Sequence, residues 1–298
     1  MIDPHGDEVG QIVGKVREVL QRPDQAIANG DAEWAVEQRT KFYRDARNML
    51  AYARKLSPQN IEVLGLLGRV SDELGDTKAA VEALEACARI AGDKTPIDVA
   101  GRLGAIQIRL DNLDAALKWL RLAQAPLSNV SAASIVNLAS VLAVKGDTVK
   151  AIDTLAGAIP PSMLGNLSDI TFASFALAVL YDRDEQRAAA FAVLDQMQST
   201  LQQAYASNVQ TELAKFRFPV AEDLHYYRGL LYESLGQYVE ARAEWAHYAA
   251  AGESPWRARA LDHITAIDAQ RRANPGAAPQ PQGLNPALTT PRRIRRHP

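Results

Sequence analysis

Small and large apolar residues recur along this chain at fixed offsets. Gly229 is followed twelve positions later by Ala241 and sixteen later by Trp245. The same spacing runs through Gly68, Ala80 and Leu84; Gly104, Ala116 and Leu120; Ala139, Ala151 and Leu155; and Ala178, Ala190 and Leu194. A turn signal separates the two halves of each unit: LGD at 74–76, LDN at 110–112, KGD at 145–147, DRDE at 182–185 and LGQ at 235–237. A large apolar residue precedes the small one at Leu67, Leu103, Leu138 and Leu177, and Arg228 breaks that habit. The pattern predicts two antiparallel helices per unit. The first carries a small residue where its partner comes close; the second carries Ala at the contact and a bulky side chain one turn on. A glycine inside a helix costs about 1 kcal/mol relative to Ala, but overfilling a tight contact costs about 1–3 kcal/mol, so Gly229 is the better choice there.

The residues Gly229, Tyr232, Ala241 and Trp245 resemble the consensus of the tetratricopeptide repeat, a small–aromatic–alanine–bulky series within 34-residue helix pairs. Ser71, Gln107 and Leu142 stand at the aromatic position in other units. Intervals between successive small residues are 36, 35, 39 and 51. The resemblance implies an all-α fold, an α-solenoid of antiparallel helix pairs wound as a right-handed superhelix with capping helices. About six repeats are expected over residues 27–255. The leading one is degenerate: KFYRDARNMLAYARKLSPQN (41–60) reads as a second helix closed by Pro58, while Trp34 stands where its first helix needs a small residue.

The flanks read differently. Residues 1–26 are expected to hold an amphipathic capping helix with Val9, Ile12, Val13, Val16 and Leu20 on one face, or else a docking or dimerisation helix. Near 205–221 an insertion is expected, the preceding helix running on through QMQSTLQQAYAS before a loop carrying Phe216, Phe218 and Pro219. Either that loop tucks against the array or it protrudes as a recognition element. Residues 256–272 read as a C-terminal capping helix with Trp256, Ala260, Leu261, Ile264 and Ile267 inward. Residues 273–298, rich in Pro, Gly and Gln and closed by PRRIRRHP, read as a disordered tail with a basic end.

Composition narrows the function classes. The net charge is −2 over 298 residues, and setting aside the tail's four arginines leaves −6 on the body, so no global field favours nucleic acid. One cysteine, Cys87, permits neither an intrachain disulfide nor a thiolate metal cluster. The start is acidic and lacks a signal-like apolar run. FASFALAVLY (172–181), the longest apolar stretch, is short of the roughly 20 residues a bilayer span needs, so a cytoplasmic protein without a membrane span is expected. VLGLLGRV (63–70) lacks the strand and the lysine ending of a phosphate loop. The five histidines form no ligand spacing; His225 and His247 are expected to be structural, and Cys87 an inert buried thiol. No catalytic residue, cofactor or metal site is assigned.

The resemblance implies that first helices line a groove holding a partner peptide or helix. Its inner positions fall on Arg69, Arg102 and Arg109, then Asn137 and Ser140, then Phe172, Phe175, Tyr226 and Tyr227. That series predicts a ligand acidic at one end and apolar at the other. The lysines and companion asparagine of the family's chaperone-tail clamp are missing around Asn137 and Arg102, and Glu62 and Asp98 stand where cations would help. The expected function is a non-catalytic protein-interaction scaffold, or alternatively a structural subunit that self-associates or joins a larger assembly through apolar helical faces.

Overall fold

A computed structural model of the chain describes residues 5–28, 32–124, 132–159, 167–216, 218, 220–252 and 254–273. Every regular element among them is helical. In chain order they are α1 (Gly6–Ala28), α2 (Ala32–Leu56), α3 (Ile61–Glu73), α4 (Thr77–Ala91), α5 (Ile97–Arg109), α6 (Leu113–Leu122), α7 (Ala132–Val144), α8 (Thr148–Ala158), α9 (Leu167–Arg183), α10 (Arg187–Leu201), α11 (Tyr205–Lys215), α12 (Asp223–Ser234), α13 (Tyr238–Ala250) and α14 (Arg257–Ala273). The chain divides into two compact units, Met1–Leu180 and Tyr181–Pro298.

In the first unit each helix from α1 to α7 packs on the next in sequence, and α5 also packs on α3 and α7. The leading pair is α1 with α2. Val9, Val13, Val16 and Leu20 of α1 are buried in one cluster with Tyr43, Ala46, Leu50 and Ala53 of α2 and Val63, Leu67 and Val70 of α3. Ile12 is partly buried at its edge. Segment 32–56 is a single helix rather than the end of one pair element and the start of another, so α1 itself serves as the first helix of the leading unit.

The spacing of twelve and sixteen is the packing code of the fold. Ala80, Ala116, Ala151, Ala190 and Ala241, with Leu84, Leu120, Leu155, Leu194 and Trp245, are all at most 1% exposed. At Gly68 and Gly104 an added Cβ would collide with Leu84 and Leu120, the residues sixteen positions on. At Gly229 it would lie 2.7 Å from two ring carbons of Trp245.

The turns share a second code, seven residues after the small position. Gly75, Asp111, Gly146, Glu185 and Gly236 all hold positive φ, from 55° to 85°. Each turn closes with the paired backbone bonds of a Schellman cap. In the first, Gly75 N–H donates to Asp72 O at 3.0 Å and Asp76 N–H to Ser71 O at 2.9 Å. In the last, Gly236 and Gln237 donate to Glu233 O and Tyr232 O at 3.0 and 2.8 Å. Asp76 then caps the next helix, its carboxylate accepting from Ala79 N–H at 3.2 Å. One residue thus ends a helix and starts its partner, which holds the pair antiparallel.

In the second unit α12, α13 and α14 pack successively, and α11 packs on α12. The helix expected to run on past residue 201 does not. Gln202 takes positive φ (49°) and a short 3₁₀ turn follows before α11. Phe216 meets Phe218 edge-on at 4.6 Å, and Phe218 meets Tyr227 at 5.0 Å, so the loop tucks onto α12. Pro219 and the tail from residue 274 lie outside the described residues.

The phase of α14 also differs from expectation. Ala260, His263 and Ile267 are buried, whereas Leu261 is 43% exposed. The helix turns a histidine inward in preference to a leucine, because two buried carboxylates wait there.

Candidate functional site

The first helices α3, α5 and α7 lie side by side in the first unit. Of the positions assigned to a ligand groove, Arg69 on α3 is exposed and has no partner among the described residues. Ser140 on α7 is half-buried. Arg102 and Arg109 of α5 are half-buried as well, but their charge is already used. Both bind the buried carboxylate of Asp72: Arg102 Nη1 donates to Oδ2 at 2.7 Å, and Arg109 Nη2 donates to Oδ1. Arg102 also reaches Glu73 at 3.2 Å. The two arginines fasten α5 to the end of α3, so the expected run of three free cations reduces to Arg69.

The remaining positions require correction. Asn137, Phe172, Phe175, Tyr226 and Tyr227 are at most 5% exposed. Their surface is spent on the protein's own interior and offers no face to a ligand. Helical spacing puts core and groove positions only a fraction of a turn apart, and aromatic side chains settled on the apolar side.

The second unit holds a polar centre that the sequence reading missed. Asp182, at the end of α9, and Glu233, at the end of α12, are both buried. Tyr226 Oη donates to Asp182 Oδ2 at 2.8 Å, and Arg259 Nη2 donates to Oδ1 at 2.7 Å. His263 lies between the acids, Nε2 2.9 Å from Asp182 Oδ2 and Nδ1 2.7 Å from Glu233 Oε2. Trp245 Nε1 donates to Glu233 Oε2 at 3.2 Å, while its indole stacks on the His263 ring at 4.2 Å. Burial alone pushes the Asp182 carboxyl up; the His263 and Arg259 donors outweigh it and lower it to about 2. For His263 burial pulls the pKa down, and the hydrogen bonds and charges of Asp182 and Glu233 raise it overall.

Beside this centre Arg183 is enclosed by Trp256 at 3.8 Å and Tyr226 at 4.6 Å and donates to Asp223 at 2.6 Å. These groups join helices. Asp72, Asp182 and Glu233 share one repeat position, four residues after Gly68, Ala178 and Gly229. That recurrence was the available signal for all three.

Elsewhere the histidines expected to be structural do meet. His225 and His247 stack at 5.1 Å, and His225 Nδ1 lies 2.7 Å from Glu244. Cys87 is buried, donates to Ile61 O at 3.2 Å, and has its thiol pKa raised by burial and by Asp98. Among the described residues no group of three or more His, Cys, Asp or Glu could hold a metal ion, and no helix is long and apolar enough to cross a membrane.

The helix pair α3–α4, with its Gly68–Leu84 contact and Schellman turn, is the segment that a family description identifies. Residues 61–94 match the family described as "Tetratricopeptide repeat". The chain contains a tetratricopeptide repeat there. Comparison with curated protein sequences found no match. Among solved structures, the repeat array is similar to the APC/C hetero-tetramer Cut9–Hcn1 (15% identity, 88% of this chain and 47% of that one, TM-score 0.50). Also similar are MamA (20%, 65% and 95%, 0.43) and a thermophilic TPR protein of Thermus thermophilus (21%, 74% and 98%, 0.40). The likeness to Cut9–Hcn1 is one of fold: paired helices of tetratricopeptide type, stacked in sequence.

Proposed function

We propose that this chain of paired helices is a non-catalytic protein-interaction scaffold of tetratricopeptide-repeat type. Its working surface is the face formed by α3, α5 and α7 in the first unit, and its partner is a peptide or helix of another protein. The observation that carries the reading is the side-by-side packing of these first helices, with exposed Arg69, which has no partner among the described residues, and half-buried Ser140 on them. Arg102 and Arg109 hold the face in register through Asp72 rather than gripping the ligand. A rigid face fixed by buried ion pairs suits binding, because little ordering entropy is lost on association.

Site-specific photo-crosslinking tests this. Crosslinkers at positions 69 and 140 are expected to capture one common polypeptide, and a crosslinker at the exposed Lys118 of α6 is not. Capture of the same polypeptide with equal yield at all three sites refutes the assignment of the face. Capture of only a second copy of the chain at 69 and 140 favours the self-associating subunit instead.

A further inference from the structure

His263 is enclosed on every side by groups whose charge it must answer. From α9 comes the Asp182 carboxylate at 2.9 Å, from α12 the Glu233 carboxylate at 2.7 Å. Tyr226 of α12 and Arg259 of α14 share Asp182 with it. Trp245 of α13 shares Glu233, as does Arg187 of α10 at 3.1 Å. The histidine side chain is 1% exposed, and the two carboxylates are 0% and 4% exposed.

A neutral imidazole carries one N–H and one lone pair. In this setting the bare nitrogen would face a carboxylate oxygen at under 3 Å, two lone pairs opposed without water between them. Only the doubly protonated ring donates to both acids at once. The face of Trp245, parallel to the ring within 11°, presents its negative quadrupole to that cation.

We infer that His263 is a proton-operated latch: α14 seats on α12 and α13 with the imidazolium bridging Asp182 and Glu233, and loss of its proton releases α14. Only α14 brings the cations Arg259 and His263 to these acids; Tyr226 and Arg187 remain on the other side when it leaves. Opening in this way uncovers Trp245 and the buried faces of Ala260 and Ile267.

The direction of the pH effect follows from the geometry. The closed state holds the proton tightly, whereas the open state binds it as an ordinary histidine, with a pKa of about 6.5. The latch is therefore at full strength below about pH 6.5 and weakens as pH rises toward the closed-state pKa. In that interval one proton leaves on opening, so the opening constant rises about tenfold per pH unit.

Amide hydrogen exchange on the full chain, corrected for intrinsic rates, reads this constant. Amides of α14 are expected to gain about fivefold in opening from pH 6.5 to 7.5 and nearly tenfold per unit above that, while those of α3 to α6, helices without histidine, stay flat. Long-range ¹H–¹⁵N spectra are expected to show both nitrogens of His263 protonated at pH 7.5. In His263→Gln, which keeps His225 and His247, the slope should vanish. A singly protonated His263 at pH 7.5, or an α14 slope equal to that of α5, overturns the latch, and neither measurement requires the variant to fold.

Discussion

Placing a methyl group at Gly229 tests the packing code most directly. An ideal Cβ there would stand 2.7 Å from Cδ2 and Cε2 of Trp245 and 3.0 Å from Cε3. Ordinary carbon contacts lie at about 3.5–4.0 Å, so the indole or the helix must retreat by roughly 1 Å. The indole is poorly placed to do so. It is fully buried, stacked on His263 at 4.2 Å, met edge-on by Tyr226 at 4.7 Å, and bonded through Nε1 to Glu233. Overpacking of a rigid group costs about 1–3 kcal/mol, and the better helix propensity of Ala recovers about 1 kcal/mol. Gly229→Ala should therefore destabilise by up to about 2 kcal/mol, and Gly229→Leu by more.

The opposite sign is expected at Gly10 and Gly14 in α1, where nothing lies within 4 Å of an added Cβ. Alanine at either site should stabilise by about 0.5–1 kcal/mol. Gly104→Ala falls between, because the atoms it meets belong to the side chain of Leu120, and Leu120→Val should partly rescue it. Urea denaturation followed by circular dichroism gives the ranking. Gly229→Ala measurably more stable than wild type would refute the claim that sixteen-residue partners, rather than helix propensity, determine where glycine stands.

Other consequences concern the charged and turn positions. On the acid side, Asp182 stabilises the second unit fully above about pH 3.8, and that contribution should drain away as pH falls toward about 2; an acid titration of tryptophan fluorescence should show the step and lose it in Asp182→Asn. Arg69→Ala should leave stability within about 0.5 kcal/mol while weakening partner crosslinking. Arg102→Ala or Arg109→Ala should cost about 1–3 kcal/mol by stripping a donor from Asp72, and equal melting temperatures for all three would contradict the division of roles. Glu185→Gly should stabilise modestly, by about 0.5 kcal/mol, since positive φ costs a non-glycine residue about 1–2 kcal/mol and glycine's chain entropy returns part of it; a lowered melting temperature would count against the turn reading.

The paired-helix fold was legible because its code is local. A small residue, its alanine and its bulky partner sit within seventeen residues, and the left-handed turn residue falls midway at a fixed step. Gly75, Gly146 and Gly236 announce that turn in the sequence, whereas Asp111 and Glu185 adopt it without announcing it. The ligand face was less legible. Arg102 and Arg109 read as free cations until Asp72, 30 and 37 residues earlier, is seen between them. A sequence shows which charges exist but not which are already paired.

The phase of α14 shows why that distinction matters. Judged by hydrophobicity, Leu261 and Ile264 belong inside, and burying one leucine is worth about 1.5–3 kcal/mol. Leaving a buried carboxylate without its partner costs about 3–5 kcal/mol, and here two of them, Asp182 and Glu233, converge on one spot. The electrostatic demand exceeds the apolar gain, so the helix rotates to present His263 and lets Leu261 face outward. Acids placed four residues after the small position thus select the face of a helix further along the chain. In the first unit Asp72 acts in the same way on α5 through Arg102 and Arg109, which makes this position a register device for the array as well as a source of charge.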